Sequence, residues 1–239
     1  QRLGIDEIGE YATNMGLGQK TGIMLDGEKA GLIPSRAWKQ RVRGNPWYPG
    51  ETLSAAIGQG YILVTPLQIA NLLAAIANGG TLYRPHLARS IYDYRGNLIE
   101  EFEPQVIHDV PIADQTLNHV RHALENVVSH KKGTGGRARV KGIRVAGKTG
   151  TAQVVRMKQD ELPGREVPEK YRDHALFAAF APVDNPEIVV AIIVEHGGHG
   201  GSAAAPIAGE VLNAYFKKTA GVVEIAGKNK ESGITARGE

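Results

Sequence analysis

The sequence predicts an α+β fold, an antiparallel sheet flanked by helices, and three observations lead to it. Two apolar, β-rich runs, 174–182 and 187–195, are joined through Asp184, Asn185 and Pro186, too briefly for a crossover helix, so they pair antiparallel. Segments 66–77, 112–129 and 203–218 carry apolar residues at helical spacing. Between them, 145–155 sets Lys148, Thr149 and Gly150 into a run of strand-forming residues.

Composition narrows the function classes. At 239 residues, 42% hydrophobic and 22% charged, the chain is long enough to bury a sizeable core as one domain or part of one. Cysteine is absent, which excludes disulfides, thiolate metal sites and cysteine nucleophiles. The net charge of +3, from 28 Lys+Arg against 25 Asp+Glu, is too small an excess to imply a nucleic-acid partner. No apolar run is long enough to span a bilayer, no signal-peptide pattern opens the chain, and it begins at Gln1. It reads as a piece of a longer protein.

Taken in order, Ile5, Ile8, Ala12 and Met15 predict a first helix, stopped by Gly16 and Gly18. Residues 21–28 read as a turn-rich crossing segment. Pro34 and Ser35 open a short helix holding Trp38, and 45–50 reads as loop. Trp38 and Trp47 are expected to be packing anchors. Gly58, Gln59 and Gly60 form a tight turn before the strongest helix, for which Thr65 is the N-cap and Pro66 the first position. Its apolar stripe is Leu67, Ala70, Leu73, Ala74 and Ala77, and Asn78, Gly79 and Gly80 end it. Strands follow from Thr81 to Phe102, with a hairpin turn at 94–97.

The helix over 112–129 turns Leu117, Val120, Leu124 and Val127 to one face. His119, His122 and His130 show no metal-ligand spacing. The basic, glycine-rich 131–139 and the charged 156–173 are expected to be mobile loops. His196 and His199 make an H-x-x-H without a carboxylate, a weak metal motif, so the surrounding glycines point to backbone needs. Neither a metal nor a cofactor is indicated. A last helix over 203–218 should pack on the sheet through Ile207, Val211 and Tyr215, and the polar tail 219–239 is expected to be disordered.

The central segment admits two readings. Gly142 to Thr149 satisfies G-x-x-x-x-G-K-[ST], the phosphate-loop pattern of a nucleotide binder. That loop must follow a strand and open a helix, yet Gly150, Thr151, Gln153, Val154 and Val155 have no helical periodicity. The antiparallel hairpin downstream also conflicts with the parallel sheet such enzymes need. The favoured reading is a strand along a substrate cleft, with Lys148 and Gly150 on one face and Thr149 and Thr151 on the other. A cation, a hydroxyl and free backbone N–H groups suit a carboxylate-bearing peptide.

Several elements together resemble the class B penicillin-binding proteins. They are Thr21-Gly-Ile23, Trp38-Lys-Gln40, Pro46-Trp-Tyr48, Gly58-Gln-Gly-Tyr61, Thr65-Pro-Leu-Gln68, Lys148 to Gln153, the phenylalanine-bearing strand ending Ala181-Pro182, and Ala204-Ala-Pro206. The resemblance covers nearly all of 3–218, and the Trp-Lys-Gln and Pro-Trp-Tyr elements are most similar to the elongation-type members. It implies the C-terminal part of a serine β-lactamase-like transpeptidase domain. The implied activity is a D,D-transpeptidase that cross-links peptidoglycan stem peptides through an acyl-serine and is inhibited by β-lactams. It implies an inner-membrane protein whose catalytic domain lies in the periplasm and whose partners include a membrane glycosyltransferase and the elongation machinery.

By motif position, Lys148 would hold the substrate carboxylate and polarise the proton relay. Thr149 would bind that carboxylate, Gly150 would permit close approach, the Thr151 N–H would form half of an oxyanion hole, and Gln153 would line the cleft. The family's S-x-N is absent from these residues. The only S-x-x-K, Ser129 to Lys132, falls at a helix end beside a polar loop and close before Lys148, so Ser129 is rejected as nucleophile. The chain is therefore expected to carry one active-site wall without its serine, and to be inactive alone.

Overall fold

The structure is a computed structural model that describes residues 3–154 and 168–231. Helix α1 (Ile5–Asn14) seals its first turn with the Glu7 carboxylate, which accepts from the Gly4 N–H at 2.9 Å. Helix α2 (Arg36–Arg43) is capped by the Ser35 hydroxyl, which accepts from the Trp38 N–H, and ends at Gly44 with φ +66°. The 45–50 segment is not all loop: Pro49 and Gly50 begin helix α3 (Pro49–Ala56). Proline at the first position has no N–H to leave unpaired, and Glu51 accepts from the Tyr48 N–H at 2.7 Å, which starts the helix there. Trp38 and Trp47 both pack against Tyr61, and the Trp47 indole donates to the Thr52 hydroxyl, so both anchor this corner.

Helix α4 (Pro66–Ala77) follows the expected cap, with Thr65 and Gln68 exchanging side-chain-to-backbone bonds. Its buried face is Leu73, Ala75, Ile76 and Ala77, rotated from the expected stripe. It also takes in Gln68, whose amide donates to the Gln19 and Ala30 carbonyls. Two small antiparallel sheets come next. Strand β1 (Thr81–Arg84) pairs not with its neighbour but with β4 (Gln105–Asp109). Strands β2 (Ser90–Tyr92) and β3 (Leu98–Glu101) form the hairpin, closed where the Asp93 carboxylate accepts from Arg95 and Asn97.

Helix α5 (Asp114–Ser129) leads into the main sheet, ordered β5 (Ala146–Ala152), β6 (His174–Ala181), β7 (Ile188–Val194), antiparallel throughout. This corrects nothing in the predicted class and removes the phosphate-loop alternative. Lys148 lies inside a strand, paired with Ala178, and the strand runs on to Ala152 where a phosphate loop would open its helix.

Alternation along β6 builds two cores. Ala175, Phe177, Ala179 and Ala181 turn to helix α6 (Gly200–Glu231), meeting Ala204, Ala205, Ala208 and Leu212. Ala178 and Phe180 turn the other way, with Ala146, toward Leu73 and Ile76 of α4. Helix α5 gives Leu117 to the second core and Val128 to the first.

Three further expectations need correction. The 131–139 segment is no solvated loop, because Gly135 and Ala138 are buried and the Arg139 guanidinium donates to the Val128, Ser129 and His130 carbonyls that end α5. The glycines exist for contact: a side-chain carbon on Gly135 would stand 2.9 Å from the Phe177 ring. Helix α6 packs through Ala204, Ala208 and Leu212, one position on from Ile207 and Val211, which are each 41% exposed. Small side chains let the helix lie close to the sheet, an advantage that bulk hydrophobicity hides. Nor does α6 stop at Lys218: its backbone continues to Glu231, consistent with Ala220, Glu224 and Ala226 being strong helix formers. Residues 232–239 and, of the expected loop over 156–173, residues 156–167 lie outside the described residues, and Glu169–Tyr171 forms one 3₁₀ turn.

Candidate active site

Strand β5 is hydrogen-bonded to a strand on one side only, among the described residues. Residues two apart on a strand turn their N–H groups to the same edge, so those of Thr149 and Thr151 share one edge. Lys148 is exposed on the α4 side, where Ala178 opposite it leaves room, and its ammonium donates to the Thr149 carbonyl at 2.7 Å. Thr149, half-buried, faces the α6 side. Gly150 lies opposite Leu176, whose Cβ would be 3.3 Å from an added side-chain carbon. Thr151 is half-buried and Gln153 exposed just past the strand end. The strand thus brings Lys148, Thr149, Gly150 and Thr151 onto one short stretch, and Gln153 follows it.

Glycines bring the start of α6 against this strand. A side-chain carbon on Gly200 would collide with the Leu176 carbonyl and stand 2.6 Å from that of Gly150; one on Gly201 would collide with the Thr134 carbonyl. The backbone role expected for the 196–201 glycines is therefore observed. His196, at φ +55°, donates its N–H to His174 Nδ1, and its own Nδ1 lies 3.1 Å from the Arg172 carbonyl. Among the described residues no group of three or more His, Asp or Glu could hold a metal ion.

Sequence reasoning missed one neighbour. Thr134, in the segment dismissed as solvated loop, places its hydroxyl 2.8 Å from that of Thr149. The signal was available in the glycines on both sides of it, which mark a backbone that must approach something closely. Ser129 is the last residue of α5, and Lys132 lies in the turn beyond, not one helical turn along the same face.

On the Lys148 side, an apolar cavity of about 300 Å³ lies between α4, α5 and the main sheet. Ile69, Leu73, Leu124, Phe177 and Ile192 are among its walls, with Lys148, Thr149 and Gly150 at the same lining. An apolar wall beside a charged strand strengthens any electrostatic contact made there.

Comparison with known proteins bears on the family of the chain. The chain is 38% identical over 226 residues to the peptidoglycan D,D-transpeptidase MrdA of Haemophilus influenzae, a match covering 93% of this chain and 34% of that protein. It is 39% identical to PBP2 of Pseudomonas aeruginosa, solved in complex with WCK 5153, at a TM-score of 0.73 over 89% of this chain and 44% of that one. It is 31% identical to PBP2 of Helicobacter pylori, solved in complex with MreC, at a TM-score of 0.75 over 90% of this chain and 36% of that one. The chain spans about a third of the length of the curated relatives it matches. Residues 1–213 match the family described as the penicillin binding protein transpeptidase domain. By that match and these identities, the chain belongs to the penicillin-binding protein transpeptidase family.

Proposed function

We propose that this chain is part of a peptidoglycan D,D-transpeptidase that cross-links stem peptides and is acylated by β-lactams. The observation that carries the reading is β5 itself: an ammonium, a hydroxyl and a set of strand N–H groups within four consecutive residues, beside an apolar wall. In the reaction a serine oxygen attacks the penultimate D-alanine carbonyl, terminal D-alanine leaves with a proton, and an amine of a second stem peptide then displaces the serine. Lys148 and the Thr149 hydroxyl hold the terminal carboxylate, as a charge-assisted pair suits. The Thr151 N–H receives the charge that develops on the carbonyl oxygen. Gly150 lets the substrate backbone lie along the strand, and Gln153 lines the cleft where it continues.

The serine is proposed to lie outside these 239 residues, so this chain alone should not acylate. The complete protein is proposed to be anchored in the inner membrane with this domain in the periplasm. Its partners would be a scaffold such as MreC, with which the Helicobacter relative was solved, and a membrane glycosyltransferase.

The test is the rate of penicillin acylation in the complete enzyme. Lys148→Ala should slow it by about 10²-fold or more, the usual scale for losing one charge-stabilising group in an active site. An unchanged rate would remove Lys148 from the mechanism. Intact mass after penicillin treatment checks the rest: an adduct on the complete enzyme and none on this chain is expected, and an adduct on this chain would return Ser129 to consideration.

A further inference from the structure

We infer that Thr134 is a positioning residue: its hydroxyl donates to the Thr149 hydroxyl and so aims the Thr149 proton at the substrate carboxylate. The inference rests on the reading of Thr149 as a carboxylate ligand. A hydroxyl has one proton and can accept as well as donate. The two oxygens are 2.8 Å apart, so one of them donates to the other. When Thr149 gives its proton to a carboxylate, its oxygen is free only to accept, and Thr134 supplies the donor. A Thr149 hydroxyl without that partner could rotate to other acceptors, the Thr149 proton then spending less time on the ligand.

The pair is built, not incidental, because Thr134 is pinned on three sides. The Gly133 and Gly135 N–H groups donate to the His130 and Val127 carbonyls at 3.0 and 2.9 Å, fixing the residues before and after Thr134 to the end of α5. Gly135 lies flat against Phe177, the partner of Thr149 in the β5–β6 register. Gly201, at the start of α6, has no Cβ where one would strike the Thr134 carbonyl and stand 3.7 Å from the Thr149 methyl. A helix end, a strand and a second helix end thus fix the backbone around one side chain that is itself exposed. Three glycines give up side chains where this loop meets α5, Phe177 and α6, and that close packing brings the Thr134 hydroxyl to Thr149.

The test uses the complete enzyme, with benzylpenicillin and its carboxylate methyl ester as probes. Thr134→Val keeps the shape and removes the hydroxyl. It should slow acylation by benzylpenicillin about five- to ten-fold, the scale of one hydrogen bond, and leave the slower reaction of the ester unchanged. Thr134→Ser should restore the rate. Thr149→Val should show the larger loss, and adding Thr134→Val to it should change nothing further, since the two act as a unit. If Thr149→Val is slow and Thr134→Val is not, the positioning role is wrong while the carboxylate reading stands. If Thr134→Val slows both probes alike, or Thr134→Ser fails to restore the rate, the loop matters only through packing and the proposal falls. If Thr149→Val reacts as the parent does, the carboxylate reading itself fails and takes this inference with it.

Discussion

Gly147 tests how tightly the site strand is held. It is buried in β5, directly before Lys148, and its backbone is one that any residue could adopt, so a substitution there is judged by space alone. A Cβ at this position would stand 2.7 Å from Phe177 Cζ, 2.8 Å from the Ala178 carbonyl oxygen and 3.0 Å from Ala179 Cβ. The ring could tilt, but the carbonyl belongs to the neighbouring strand and cannot move without opening the β5–β6 ladder. Overpacking of this kind costs about 1–3 kcal/mol. The lost flexibility of the unfolded chain returns about 0.4–1 kcal/mol, leaving roughly 1–2 kcal/mol of destabilisation. For a domain of this size each kcal/mol moves Tm by about 2–4 °C, so Gly147→Ala should lower Tm by about 2–8 °C in thermal unfolding of the complete enzyme. Gly135→Ala is the control, because its one contact under 3.0 Å is with the Phe177 ring, at 2.9 Å. In double-mutant cycles, Phe177→Leu should relieve Gly135→Ala but only a small part of Gly147→Ala. A Gly147→Ala protein as stable as its parent, or a full rescue by Phe177→Leu, would show that the carbonyl contact does not limit this strand.

Two further predictions concern stability. Leu212, fully buried against the sheet, should cost about 2–5 kcal/mol on change to alanine, whereas Val211→Ala, beside it but 41% exposed, should stay within about 0.5 kcal/mol. Denaturant midpoints of the two variants decide it, and equal losses would mean that α6 presents a different face. The Arg144 guanidinium grips Glu125 through two hydrogen bonds at 2.7 and 2.8 Å and holds that carboxyl below its ordinary range. The folded value is the depressed one, so this contribution is complete above the ordinary glutamate pKa of about 4.3 and fades as pH falls through the lower folded value. Arg144→Met should therefore unfold more readily than its parent at pH 7, and the difference should shrink by pH 3; an equal difference at both would sever the link to Glu125.

The sequence by itself determined the elements whose signals are local. Ser35 and Thr65 as N-caps, Pro66 at a first helical position and the short Asp184–Pro186 connection each act within a few residues, so periodicity, capping and loop length were sufficient. The Lys148–Thr151 strand was legible for the same reason, and so was the rejection of a phosphate loop. Tertiary structure alone decided what depends on contact between distant segments. It paired β1 with β4 across an intervening hairpin, turned α6 onto its alanines instead of its larger side chains, and folded the glycines of 133–136 against Phe177. In the last two cases the sequence advertises the wrong feature, because close approach selects small residues while one-dimensional patterns count large ones, and in the first the pairing partner lies outside any local window. Thr134 belongs to the same class: its flanking glycines mark a close approach, but only the meeting of α5, β5 and α6 makes Thr149 the partner.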